Sequence, residues 1–342
     1  MAKILILGAG SMGTAFSFPC SDNGHSVSII GTHLENDFIN QIKSIKKHPV
    51  LNCEVSKNVT FYKFEKLQEE INKKIDLVVI AVVSKGIEWA SVELSKVIKN
   101  NVPILILTKG LSINNNNYEV LAHKMERLLK KNGIKETNIS AAGGPCLAKE
   151  LASKVHTSVV FANTDIKVVE QISKLVSTDY YHVSTSNDVI GVETCAAIKN
   201  IFSMAVGASQ GLCNSTKSNE KNYLNTAAAL IQESVYEMIT IVEKLNGKKE
   251  TVIGLAGIGD LYVSADGGRN SKMGEYLGQG MTFNEAKKSK MSNVTVEGAD
   301  LALEIGAKIK KDFDIKTFPL MISMIDTICE EKPLKVDWKN FK

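Results

Sequence analysis

Lys199 stands where its surroundings give no reason for a charge. If residues 192–212 are helical, the three- and four-residue rows through it hold Val192, Ala196, Ser203 and Val206, a small and apolar face. Burial disfavours an ammonium and draws its proton affinity toward the working pH, which makes a lysine a usable proton donor and acceptor. A lysine snorkelling from a domain edge is the competing reading. Asn200 follows and can orient a polar ligand through its amide. A second misplaced charge is Asp260, an acid inside the apolar stretch Gly254-Leu255-Ala256-Gly257-Ile258-Gly259-Asp260-Leu261. A buried carboxylate needs a partner, for which Lys199 is the candidate; an Asx turn or helix cap is the alternative.

The chain has 39 Lys and two Arg, Arg127 and Arg269, so a position that keeps arginine is a candidate for needing its planar fork. Arg127 lies in the helix-like stretch 121–131 among lysines. Arg269 lies in Gly267-Gly268-Arg269-Asn270, where glycines expose backbone N–H groups beside a guanidinium that binds phosphate oxygens bidentately. Two further loops have this character. One is Thr108-Lys109-Gly110, at the end of a strand where parallel sheets bind ligands, and the other is Gly143-Gly144-Pro145-Cys146 after the next strand.

Near the start, Gly8-Ala9-Gly10-Ser11-Met12-Gly13 follows one apolar run and opens a helical pattern. In such a turn the first glycine permits the bend, the second lets the backbone approach a pyrophosphate, and the third lets helix and strand pack closely; the free N–H groups and the helix dipole then favour phosphates. The acid that would take a ribose 2′-hydroxyl, about 20 residues on, is not in place: Gly31-Thr32-His33 stands there and Glu35 comes late. With His33 as a cation nearby, NADP is expected to serve at least as well as NAD; Glu35 reaching back to the hydroxyls is the alternative.

These residues need a frame, and the apolar pattern supplies one. Short continuous runs at 4–7, 27–30, 77–83, 104–107, 139–142 and 158–161 read as strands buried on both faces, with crossover helices between most of them. Beyond about residue 187 the period becomes helical, over 192–212, 227–245 and 299–309. The expected fold is α/β, an N-terminal Rossmann-like doubly wound parallel sheet (1–186, the dinucleotide-binding domain) plus an all-α C-terminal domain (187–342, the substrate and catalytic domain). Asn114–Asn117 reads as a polar surface loop.

A net charge of +4 implies no nucleic-acid partner. The six cysteines show neither disulfide nor zinc spacing, so no metal is expected and a reducing cytoplasm is the simplest compartment. The run at 4–7 is too short for a signal peptide, and no segment approaches about 18 uninterrupted apolar residues, so no membrane span is expected.

Taken in order, these motifs resemble the NAD(P)-dependent glycerol-3-phosphate dehydrogenases over almost the full length. The resemblance lies in the glycine fingerprint at 8–13, T-K-G-L at 108–111, G-P-x-x-A-x-E at 144–150 and D-V-I-G-V-E at 188–193. It continues in K-N at 199–200, G-L-A-G-x-G-D-L at 254–261, G-G-R-N at 267–270 and V-E-G at 296–298. The G-G-R-N form looks more like the eukaryotic and archaeal branches. The resemblance implies that Lys199 is the general acid/base for the carbonyl oxygen of dihydroxyacetone phosphate, with Asp260 and Lys109 polarising and orienting it. It implies that Gly268, Arg269 and Asn270 hold the substrate phosphate while Gly144, Cys146 and Asn200 line the substrate side. It places the cofactor against Ser11, Met12, Ala148, Arg269, Thr295 and Glu297, to which the reading of the residues themselves adds Gly8, Gly10, Gly13, His33 and Lys109. It also implies a homodimer and a supply of glycerol 3-phosphate to phospholipid synthesis.

This sequence departs from the family pattern in places. Cys146 replaces the usual serine, Val83 a proline, Ala227 the common lysine, and Gln232-Glu233 the common Thr-Arg. These changes motivate an alternative, a related dehydrogenase acting on another small keto or phosphorylated substrate. A dinucleotide-binding regulator with a dead site is a third reading, opposed by the joint retention of Lys109, Lys199, Asp260, Arg269 and Asn270.

Overall fold

The computed structural model describes residues 1–45, 47–98, 101–213 and 223–342. The chain divides into two compact units, Met1–Lys109 with Val120–Val192, and Gly110–Glu119 with Glu193–Lys342.

The first unit is built on an eight-stranded sheet. In chain order its strands are β1 (Lys3–Leu7), β2 (Ser26–Ile30), β3 (Val59–Tyr62), β4 (Leu77–Ile80), β5 (Pro103–Ile106), β6 (Asn138–Gly143), β7 (Thr157–Ala162) and β8 (Tyr181–Ser186). Their order across the sheet is β8-β7-β6-β5-β4-β1-β2-β3. The chain therefore starts in the middle, winds outward through β2 and β3, and resumes at β4 on the other side of β1. Such a reversal opens a crevice at the carboxyl ends of β1 and β4, where doubly wound sheets bind ligands. All six runs read from the sequence form strands; the third stops at Ile80. The two strands without an apolar run, β3 and β8, are the sheet edges, whose V-T-F-Y and Y-H-V-S-T-S alternate because one face meets solvent. Every pair is parallel except β6 with β7. Between those two the chain holds one helix of 5 residues, Ala148–Ala152, short of a crossover helix that would return it parallel.

The second unit is helical, with one β-ribbon among the described residues. The ribbon pairs Leu111–Asn114 with Asn117–Val120, and its turn residues Asn115 and Asn116 have φ of 48° and 61°. Asparagine tolerates that conformation, so the expected polar loop is a tight hairpin turn. The ribbon packs on the helix Glu297–Asp312, with Tyr118 against Lys308 (5.0 Å from Nζ to the ring centre). The helix Val189–Cys213 enters this unit at Glu193. It is long and apolar enough to cross a membrane, yet 89% of its apolar window is buried inside the protein, as a core helix is.

Glycines set the spacing of this unit. A Cβ on Gly207 would lie 2.2 Å from Ser271 O, one on Gly211 2.1 Å from Glu275 O, one on Gly274 1.9 Å from Met204 O and one on Gly278 2.2 Å from Ala208 O. Two G-x-x-x-G faces thus put the helices Val189–Cys213 and Arg269–Gly278 in backbone contact, a distance that no larger residue permits. Gly298 makes the same approach to Asn200 O, at 2.4 Å, and brings in the start of the helix Glu297–Asp312.

Candidate active site

Lys199 and Asp260 meet inside the second unit. Lys199 Nζ donates to Asp260 Oδ1 at 2.5 Å and to Ser264 Oγ at 2.5 Å. The two charged side chains are 6% and 2% exposed. A lysine at a domain edge would show its ammonium to water, so the snorkelling reading is excluded. The capping reading of Asp260 fails as well: it opens the helix Asp260–Ala265 directly after a π-helical turn at Leu255–Gly259, and its side chain turns to Lys199. Gly257 makes that turn possible, since a Cβ there would lie 2.0 Å from Val252 O. Ser264 was not among the expected residues. Its spacing of one turn from Asp260 on the same short helix is the signal that points to it.

A second cluster is tied to the first through Asn200. Asn270 Nδ2 donates to Asn200 Oδ1 at 3.1 Å, and the backbone N–H of Gly298 donates to Asn270 Oδ1 at 2.9 Å. Three helices thus share one amide network, and each amide is fixed by its neighbours. Arg269 heads the helix Arg269–Gly278 after Gly267 (φ +85°) and Gly268, and its guanidinium donates to Glu297. At 58% exposed it is open to an anion from solvent. Thr295, two residues before Glu297, is also exposed.

Two of the departures on the helix Leu224–Lys244, Gln232 and Glu233, have a structural use. Glu233 is buried and its Oε2 accepts from the backbone N–H of Lys342 at 2.9 Å, while Gln232 Nε2 donates to Lys342 O at 3.2 Å. One turn on, buried Glu237 accepts from Leu320 N (2.6 Å) and Met321 N (2.7 Å), the first N–H groups of the helix Pro319–Cys329. Burial pushes the proton affinity of Glu237 up to about 8 against the pull of those two donors.

The remaining predicted residues lie in the first unit, at the carboxyl ends of its parallel strands. Thr108 Oγ1 donates to Val82 O at 2.6 Å, and Lys109 Nζ reaches Gly144 O at 3.5 Å, which joins the loops after β4, β5 and β6. Gly144 has φ +106°, and a Cβ there would lie 3.2 Å from Val159 Cα. Cys146 packs on the core and Ala148 begins its short helix.

The fingerprint turn has the shape a pyrophosphate requires. Gly8 (φ +114°) bends the chain against β4, where a Cβ would lie 2.6 Å from Ala81 O, and a Cβ on Gly13 would lie 2.3 Å from Gly8 O. At Gly10 a Cβ would meet nothing within 4 Å. Two of the glycines are therefore packed and one faces open space, as the roles of the three require. Gly10 also caps the helix Ser11–Asp22, and among the described residues no side chain takes its first N–H groups, so Ser11, Met12 and Gly13 offer theirs to a phosphate. The residues present fit a dinucleotide. His33 lies against Trp89, ring centres 5.0 Å apart. Contrary to the reading that no carboxylate is placed at this turn, Glu35 is folded back into it, accepting from Ala9 N at 3.2 Å and Thr32 N at 2.7 Å.

The chain matches two family models. One, described as NAD-dependent glycerol-3-phosphate dehydrogenase N-terminus, matches residues 3–169; the other, the C-terminus of the same family, matches residues 188–337. An NADP(+)-dependent glycerol-3-phosphate dehydrogenase of Archaeoglobus fulgidus is 31% identical over 90% of this chain and 91% of its own length. A glycerol-3-phosphate dehydrogenase [NAD(P)+] of Agathobacter rectalis is 30% identical over 98% and 94%. Among solved structures, glycerol-3-phosphate dehydrogenase from Coxiella burnetii superposes with a TM-score of 0.81 at 25% identity, covering 97% of this chain and 96% of that one. The Plasmodium falciparum structure superposes at 0.84 with 20% identity over 99% and 95%, a likeness of fold.

Proposed function

Because the chain belongs to the NAD-dependent glycerol-3-phosphate dehydrogenase family, we propose that it interconverts dihydroxyacetone phosphate and sn-glycerol 3-phosphate. The observation that carries this reading is the buried Lys199, paired with Asp260 and Ser264 and linked through Asn200 to the segment that bears Arg269. The bound nicotinamide cofactor supplies the hydride in one direction and accepts it in the other. Reduction adds that hydride to the carbonyl carbon and a proton to its oxygen. Lys199 gives the proton and in reverse removes it, and Asp260 holds the ammonium in place between the two.

Arg269 binds the substrate phosphate, which a dianion achieves by competing with Glu297 for the guanidinium. Gly268 and Asn270 complete that subsite, and Lys109, Gly144, Cys146 and Asn200 line the rest. Fixing a remote phosphate lets binding energy orient the carbon that reacts. Gly8, Gly10, Ser11, Met12, Gly13, His33, Lys109, Ala148, Arg269, Thr295 and Glu297 hold the cofactor. Residues 1–186 serve as the dinucleotide-binding domain and 187–342 as the substrate domain, the ribbon of 110–119 going with the second. The enzyme works as a homodimer in the cytoplasm and feeds phospholipid synthesis.

The test is NAD(P)H oxidation with dihydroxyacetone phosphate beside a panel of keto acids. Turnover of dihydroxyacetone phosphate is expected. Its absence, with good turnover of another compound, would give the alternative substrate reading; no turnover at all, with cofactor bound, would give the regulator.

A further inference from the structure

The strand β2 ends at Ile30 and the next helix, Asn36–Ile45, begins six residues on. Between them the chain turns back, the Glu35 N–H donating to Thr32 O at 3.0 Å. That turn carries the Glu35 carboxylate to the neighbouring loop. Its Oε2 accepts from Thr32 N and also from Ala9 N, between the first two glycines of the fingerprint. Oε1 takes no hydrogen bond among the described residues. A fixed carboxylate with one free oxygen thus stands at the carboxyl end of the second strand, over the turn built for the pyrophosphate.

At that point of a doubly wound sheet an acid accepts the 2′-hydroxyl of the adenosine ribose and repels a 2′-phosphate. A phosphate there would need a cation to offset the carboxylate, and the described residues place none against it. Among the described residues no lysine or arginine pairs with Glu35. One basic group that faces both Glu35 and Ala9 is His48, which is fully buried. Its Nδ1 accepts from Leu51 N at 3.1 Å, which puts the ring proton on Nε2, an atom with no hydrogen-bond partner. Burial lowers its proton affinity, so the ring stays neutral at neutral pH. Of the other basic groups nearby, His33 lies on Trp89, and Lys43 has its ammonium 5.9 Å from the centre of the Tyr62 ring.

We propose that Glu35 sets the nucleotide preference of this chain, its carboxylate accepting the ribose 2′-hydroxyl and excluding a 2′-phosphate, so that NAD(H) binds more tightly than NADP(H). The inference rests on the dehydrogenase reading and reverses the preference expected from the sequence alone. It also sets this chain apart from the Archaeoglobus fulgidus relative, whose name carries NADP(+).

Calorimetric titration of the full chain with NADH and NADPH, without substrate, tests it. The expected Kd for NADH is lower by about tenfold or more, ~1.4 kcal/mol. Competition by 5′-AMP against 2′,5′-ADP should follow the same order. Glu35→Gln keeps an acceptor for Ala9 and Thr32 but removes the charge, and should bring the two affinities close together by tightening NADPH. Equal or tighter NADPH binding by the unaltered chain overturns the proposal, and this arm needs no variant to fold. An unchanged ratio in a folded Glu35→Gln also overturns it. Binding of neither nucleotide would overturn the dehydrogenase reading, and this inference with it, whereas binding of both in the wrong order removes Glu35 alone.

Discussion

Replacing Asp260 by Asn removes one charge from a pair that water does not reach. The Lys199 and Asp260 side chains are 6% and 2% exposed, so solvent screening offers no relief when the carboxylate goes. Lys199 would keep the Ser264 hydroxyl, a neutral acceptor that cannot balance an ammonium. Breaking a buried pair on one side costs about 3–5 kcal/mol. For a unit of this size each kcal/mol lowers Tm by about 2–4 °C, so the expected loss is roughly 6–20 °C. Turnover should fall by about 100-fold or more, since the proton donor has lost the group that holds it. Ser264→Ala sets the scale: it removes one neutral partner, and a loss of about 1–3 kcal/mol is expected. Scanning calorimetry and NADH oxidation, run on both variants, give the comparison. If Asp260→Asn melts within 1–2 °C of the unaltered protein and turns over normally, the buried pair has neither the structural nor the chemical role assigned to it.

Three further outcomes are expected. Gly13→Ala places a Cβ 2.3 Å from Gly8 O and should destabilise the first unit, whereas Gly10→Ala meets nothing within 4 Å and should melt normally while weakening NADH by about tenfold or more, as titration of the folded variants would show. Glu237 has its proton affinity raised to about 8 by burial, above the ordinary carboxylate value of the unfolded chain. The stability it contributes is complete below that ordinary value and is lost as pH rises through about 8, so urea unfolding should show a decline from pH 5 to pH 8.5 that Glu237→Gln makes shallower. Arg269→Lys should raise KM for the phosphorylated substrate, or lower kcat/KM, by more than about tenfold (~1.4 kcal/mol), and Arg127→Lys should do neither; equal effects would remove the bidentate argument.

Much of this molecule is legible in its residues. Buried parallel strands such as β1 and β4 are apolar on both faces, so they stand out as runs; the edge strands β3 and β8 face solvent on one side and do not. Lys199 and Asp260 are conspicuous because a charge in an apolar setting is rare, and that rarity led to their pairing. Ser264 and the partner of Glu233 escaped for the opposite reason. A serine on a short helix is ordinary, and the partner of Glu233, the backbone of Lys342, lies more than 100 positions away, where no local spacing could reveal it. Glu35 was visible as an acid but not as a neighbour of Ala9, because its position depends on a turn between Thr32 and Glu35 that the sequence does not spell out. The antiparallel pairing of β6 and β7 likewise depends on how much helix fits between them.

The claim on which the rest depends is that Lys199 moves the proton. Lys199→Ala, purified as the full chain, should bind NADH within about threefold of the unaltered protein. Its kcat for NADH oxidation with dihydroxyacetone phosphate should be lower by about 100-fold or more. A folded Lys199→Ala that retains its kcat would contradict the account.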